Sequence, residues 1–246
     1  MFGTFFEMGG RAAMEALSRG NLDYVIIDTE HSCFSEESTA DLILAAERHN
    51  LTPYVRIGDV RRPYVLRMLD IGAKGLIVPN IRSVEQVKEL VSYAKFPPIG
   101  NRGFCPNRTS GWGYDEWAKD VNSYMEQCNN TCKVIPQCET KEALEDIEEI
   151  VSLPGVDGIF VGPFDLSVDM GMPLKLDDPV MVNAIEKVVS VCKAHKKESF
   201  IFAGNMDNAV KWTKLGYDNI TYNFDIGVFI DAWRNVAGEY RERIQK

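Results

Sequence analysis

Two short stretches each carry a carboxylate at the end of an apolar run: Val134-Ile135-Pro136-Gln137-Cys138-Glu139-Thr140 and Val161-Gly162-Pro163-Phe164-Asp165-Leu166-Ser167. Each reads as a buried strand handing over to a helical pattern, so Glu139 and Asp165 fall at equivalent ends of two neighbouring strands. A single acid there needs no function, since it favours a helix N-terminus or caps a turn. Two of them, facing a histidine and an arginine from other strand ends, make an oxygen-donor pair. Such a pair suits a hard or borderline divalent ion, Mg²⁺ or Mn²⁺, with substrate oxygens and water completing the shell. His31 closes the run Asp28-Thr29-Glu30-His31 and is the candidate acid or base, its tautomer set by a carboxylate. Arg56 ends the apolar run Pro53-Tyr54-Val55, where a buried guanidinium needs an anion, and an anionic substrate supplies one. His49 and His195 fall at helix ends and read as surface residues.

Positioning these groups requires a scaffold that brings many strand ends to one place. Apolar runs alternate with amphipathic stretches eight times along the chain. The expected strands are 3–8, 23–28, 52–57, 75–79, 133–139, 157–161, 199–203 and 219–223. The expected helices are 11–19, 36–48, 63–71, 84–94, 141–151, 179–195, 206–215 and 227–244. Ser83 with Gln86 reads as a capping box, and Asp178 before Pro179 as a cap with a first-turn proline. Eight strand–helix units in 246 residues, with no linker-like stretch, give a single α/β domain, a (β/α)8 TIM barrel over 1–246. In such a barrel chemistry sits at the C-terminal ends of the strands. The interruption at about 95–132 is read as an inserted loop over the barrel mouth, followed by an extra helix at about 115–128, with a contact between copies as the alternative.

Composition narrows the partners. A formal net charge of −9 without any Lys/Arg-rich run argues against nucleic acid and for a small-molecule substrate. No apolar run is long enough to span a membrane and the first twenty residues do not resemble a signal peptide, so a cytoplasmic protein is expected. The six cysteines, without CxxC spacing, read as reduced thiols.

The motifs Ile27-Asp28-Thr29-Glu30-His31, Pro53-Tyr54-Val55-Arg56, Leu69-Asp70-Ile71-Gly72-Ala73, Arg102-Gly103, Gln137-Cys138-Glu139-Thr140 and Gly162-Pro163-Phe164-Asp165-Leu166-Ser167 together resemble the HpcH/HpaI family of pyruvate-dependent class II aldolases. The resemblance implies a divalent metal at Glu139 and Asp165, with Co²⁺ or Zn²⁺ as further options, and pyruvate chelating it. It implies that Arg56 stabilises the enolate, that His31 with Asp28 moves protons, and that Asp70 is a supporting acid near the arginine. Gln137, Gly162, Phe164 and Phe5 then border the substrate pocket. Phe164 stands where many relatives have a small residue. The implied reaction splits a 2-keto-4-hydroxy acid into pyruvate and an aldehyde, and the implied assembly is a homo-hexamer with exchanged C-terminal helices, for which Val228, Phe229, Ile230, Trp233 and Val236 are apolar enough. A Schiff-base route is disfavoured because Lys74 and Lys133 lie at strand starts. The alternatives are a related metal-enolate lyase or decarboxylase acting on oxaloacetate or an acyl-CoA, and a barrel that binds a keto acid without turning it over.

Overall fold

The strands of this protein are near-continuous apolar runs because both of their faces are covered. Tyr24–Asp28, Gly75–Val78 and Gly158–Val161 are buried at every position. The computed structural model describes residues 1–245, and Lys246, the last residue of the expected domain, lies outside them. The chain runs β1 (Phe2–Phe6), α1 (Arg11–Leu17), β2 (Tyr24–Asp28), α2 (Glu36–Glu47), β3 (Thr52–Arg56), α3 (Arg62–Asp70), β4 (Gly75–Val78) and α4 (Val84–Ala94). The insert ends in α5 (Val121–Thr131), and after it come β5 (Lys133–Cys138), α6 (Lys141–Glu145), α7 (Ile147–Ser152), β6 (Gly158–Val161) and α8 (Pro163–Asp169). The last part is α9 (Pro179–Ala194), β7 (Glu198–Ala203), α10 (Met206–Leu215), β8 (Asn219–Phe224) and α11 (Asp225–Ile244). Neighbouring strands are parallel and close into an eight-stranded barrel, with β8 pairing back to β1. All eight expected strands are present, their ends moved by no more than two residues.

Period-two alternation sorts the side chains of each strand between two cores. Val25, Ile27, Val55, Leu76 and Val78 face outward into the layer between sheet and helices. Tyr24, Ile26, Tyr54, Ile77, Ile135, Phe160 and Phe200 face inward and fill the barrel. Tyr24, Tyr54 and Phe200 meet with ring centroids 5.6 to 6.0 Å apart. Gly3 makes room for them, since a Cβ there would lie 2.6 Å from the Tyr24 ring. The same parity carried to the strand ends points Asp28, Arg56 and Gln137 inward at the barrel mouth.

Four local expectations are corrected. The segment expected as one helix over 141–151 breaks at Asp146 into α6 and α7. The short helix α8, which carries Asp165, takes up the helical pattern expected after the β6 run as an element additional to the eight expected helices. At Ser83 the cap is one-sided: its hydroxyl accepts from the Gln86 amide at 3.2 Å, but the Gln86 side chain accepts from Arg82 instead of closing the box. Most consequential, the insert does not cover the mouth. Helices run antiparallel to strands, so the end of α4 and the start of β5 both lie at the N-terminal end of the barrel, and the segment between them stays there. Arg102 pairs with Asp70, the last residue of α3, at 2.8 Å, and Arg108 pairs with Glu47, the last residue of α2.

Candidate active site

At the C-terminal end of the barrel, Asp28 and Arg56 are register partners on adjacent strands. Arg56 Nε donates to Asp28 Oδ1 at 2.9 Å and Nη2 to Oδ2 at 2.6 Å, a two-pronged contact between a fully buried aspartate and an arginine only 9% exposed. Burial works against the charge on Arg56, but the hydrogen bond and charge of Asp28 outweigh it and raise its pKa, so it stays a cation. Asp28 also accepts from the Glu30 amide at 3.0 Å, which folds the turn after β2 back onto the strand. Glu30 approaches Arg56 Nε at 3.3 Å, and the exposed ring of His31 lies 3.7 Å from Glu30. The Arg56 guanidinium also rests over the Phe5 ring at 4.5 Å.

Across the mouth, Glu139 follows β5 and is held from three directions. Thr140 behind it caps α6 through the Ala143 amide at 3.1 Å and donates to the Ile81 carbonyl at 2.6 Å. Asn80, in the left-handed region at φ 52°, aims its amide at Glu139 Oε1 at 2.6 Å. The Gln137 side-chain amide donates to Oε2. Gly162 is what permits this closeness: a Cβ there would stand 2.7 Å from Gln137 Nε2 and 2.8 Å from Glu139 Oε2. Asp165 projects from the first turn of α8, and burial first, then the charges of Asp165 and Glu30, push the Glu139 carboxyl up to about 7, against the lowering effect of the Asn80 amide.

The predicted residues therefore fall into three groups. His31, Arg56, Gln137, Gly162, Phe164, Asp165 and Phe5 line one cavity of about 170 Å³ at the mouth, with Glu139 behind Gln137 and Gly162. Asp28 belongs to the site through Arg56, and the carboxylate beside the His31 ring is Glu30 rather than Asp28. Asp70 is not brought to Arg56 in this chain; it ends α3 at the far end of the barrel, where it accepts from Arg102 at 2.8 Å and from Asn107 at 3.1 Å. Sequence reasoning passed over Glu7, Phe160, Phe202 and Phe224, which also line the cavity. Glu7 and Phe202 carried the signal all along: each is an inward position two residues beyond an inward phenylalanine, Phe5 and Phe200.

The donor set fits a divalent ion. Among the described residues no three His, Cys, Asp or Glu side chains converge tightly enough to cage one. What the mouth offers is two carboxylates, with Gln137 Oε1 buried beside them without a partner. Two oxygen ligands, with the rest left to substrate and water, is how Mg²⁺ is commonly held.

Comparison with known proteins agrees with this geometry. The family model for HpcH/HpaI aldolase/citrate lyase matches residues 2–232. A hydroxypyruvate/pyruvate aldolase of Rhizorhabdus wittichii is 31% identical over 239 residues, covering 96% of this chain and 92% of that protein. A 2-keto-3-deoxy-L-rhamnonate aldolase of Escherichia coli K12 is 29% identical over 220 residues, 89% of this chain and 80% of that protein. Among solved structures, the citrate synthase SbnG superposes with a TM-score of 0.88 at 26% identity, covering 100% of this chain and 94% of that one. The chain belongs to the HpcH/HpaI aldolase/citrate lyase family and is a carbon–carbon lyase.

Proposed function

We propose that this protein cleaves, or in reverse forms, a 2-keto-4-hydroxy acid, giving pyruvate and an aldehyde. The observation that carries this reading is the pairing, across one small mouth, of a paired but still cationic Arg56 with the two carboxylates Glu139 and Asp165. Cleaving the bond next to a hydroxyl leaves negative charge on the keto-acid fragment, and the site is built to receive it. Glu139 and Asp165 would hold a divalent ion, Mg²⁺ or Mn²⁺, which supplies a Lewis acid for the keto oxygen. Arg56, locked by Asp28, presents a fixed positive charge that needs no reorganisation when the enolate forms. Gln137 lines the same cavity, where its unpartnered Oε1 would accept from the 4-hydroxyl of the adduct or from water on the ion. His31 lines the same cavity beside Glu30 and takes the hydroxyl proton, the charge on its ring being stabilised by that carboxylate.

We also infer that the working form is a homo-oligomer. Of the twenty residues of α11 only Asp225 is buried, while Phe229, Trp233 and Val236 are each more than half exposed. An apolar groove of about 560 Å³ runs between α11 and α1, and a second copy's C-terminal helix would cover both. The six cysteines are free, which suits the cytoplasm, where we place the protein.

The test is exchange of pyruvate methyl protons with deuterated water, followed by NMR with Mg²⁺ or Mn²⁺ and again after chelation. Metal-dependent exchange is expected, and a folded protein that shows none with any divalent metal would overturn the pyruvate-enolate reading.

A further inference from the structure

The cavity at the mouth has two unlike halves. Its polar groups come mostly from the β2, β3 and β5 side, as His31, Arg56 and Gln137, with Glu7 and Asp165 at the margins. The opposite wall, from β6 through β7 and β8 to β1, is aromatic: Phe160, Phe164, Phe202, Phe224 and Phe5. These rings brace one another. Phe164 and Phe202 meet edge to face at 5.2 Å, Phe5 and Phe160 at 5.7 Å, and Phe5 and Phe202 lie 6.1 Å apart.

Phe164 does more than add area. It lines the mouth on one side and, on the other, a separate cavity of about 470 Å³ whose polar residues are Asp177, Asn205, Asp207, Asn208 and Lys211. The ring lies against Gly204, where a Cβ would be 3.0 Å from Phe164 Cζ, so it stands as the partition between the two spaces.

Resting on the proposed aldol chemistry, we propose that the second substrate is an aldehyde with an apolar body, alkyl or aryl, and that Phe164 is the residue that sets this specificity by shutting the mouth off from the polar side cavity. In the cleavage direction the C3–C4 bond of the adduct breaks and its electron pair stays on C3 as the pyruvate enolate. The C4 hydroxyl gives its proton to the base and its oxygen becomes the aldehyde, and the enolate then takes up one proton to give pyruvate. The substituent on C4 is thus the part of the adduct left to meet the aromatic wall. A hydroxyl carried there would lose water and find ring carbons in return, whereas an alkyl or aryl chain loses nothing. With a small side chain at position 164 the same hydroxyl would reach Asn205, Asn208 or Asp207.

The experiment measures kcat/KM for aldol formation from pyruvate and metal with butanal and with 3,4-dihydroxybutanal, a pair matched near the carbonyl. The wild type is expected to prefer butanal by ~10-fold or more, the order of one unpartnered hydroxyl. Phe164→Ala should shift that ratio toward the dihydroxy aldehyde by a similar factor, Phe164→Leu should keep the wild-type preference, and adding Asn208→Leu to Phe164→Ala should reduce the shift. A wild type that prefers the dihydroxy aldehyde, or a Phe164→Ala enzyme with an unchanged ratio, would overturn the proposal, and the wild-type ratio decides it even if Phe164→Ala does not fold. Proton exchange in the wild type, measured without any aldehyde, separates the two failures: exchange with the wrong preference removes only the acceptor assignment, while no exchange removes the aldol reading beneath it.

Discussion

Replacing Glu139 by glutamine should act in opposite directions on folding and on function. Glu139 is 8% exposed, and its carboxyl is pushed from an ordinary 4.5 up to about 7 by burial and by the charges of Asp165 and Glu30. Because the folded state holds this proton more tightly than the unfolded chain does, the glutamate contributes instability that is absent below pH 4.5, grows as pH rises and is complete above about 7. At 1.36 kcal/mol per pH unit the penalty is about 1 kcal/mol at pH 5 and about 3 kcal/mol at pH 8, with little discount for solvent at so buried a site. Glutamine removes the charge but keeps the contacts. Its Oε1 can still accept from the Asn80 amide, and its Nε2 can donate to Gln137 Oε1 once that amide turns over, which gives a partner to an oxygen that now has none. Urea unfolding in the presence of a chelator should therefore find Glu139→Gln more stable than wild type by about 3 kcal/mol at pH 8 and by about 1 at pH 5. Added Mg²⁺ or Mn²⁺ should stabilise the wild type and leave the variant unchanged, and metal-dependent turnover should vanish. A variant less stable than wild type at pH 8 without metal, or a difference that does not vary with pH, would refute the electrostatic account of this site. Retained turnover would remove Glu139 as a ligand.

Two further variants probe the scaffold. Gly162→Ala puts a methyl 2.7 Å from Gln137 Nε2 and 2.8 Å from Glu139 Oε2 while its backbone, at φ −95°, remains open to alanine. Mn²⁺ affinity by calorimetry should fall ~10-fold or more with the circular dichroism unchanged, as for loss of a ligand's supporting contacts, and undiminished affinity would mean that Glu139 has room to move aside. Phe229→Asp with Trp233→Asp places two charges on the exposed face of α11, and sedimentation should show the wild type as an assembly and the double variant as a monomer; an assembly that survives both changes would put the interface elsewhere.

What could be read in the chain, and what could not, divides along the range of the interactions involved. Strand positions, and the polar residues that end them, follow from local alternation, because the barrel gives each strand an inside and an outside with period two. Once Tyr24 and Ile26 are assigned inward, Asp28 has no other direction to point, and the same holds for Arg56 after Tyr54 and for Gln137 after Ile135. Pairings between these ends are a different matter. Asp28 is three residues from His31 and twenty-eight from Arg56, yet strand register, Asp28 beside Arg56, gives its carboxylate to the arginine and leaves the histidine ring to Glu30. Register is a property of two strands together, and neither strand states it alone. The inserted segment makes the same point at larger scale. Its Gly, Asn, Arg and Trp content marks it as irregular, but which end of the barrel it occupies depends on the direction of the helix before it. A loop that looks suited to a mouth instead ties α2 and α3 together at the opposite end, its Arg108 pairing with Glu47 and its Arg102 with Asp70. The parity rule, applied without exception, would also have reached Glu7, since Phe5 points inward and Glu7 lies two residues on. Burial and the nearby charges of Asp28 and Asp225 raise the pKa of that acid, as they must for a carboxylate set among the others at the mouth. An inward polar position one step past an inward apolar one is therefore the signal to follow in chains of this fold, and it owes nothing to resemblance.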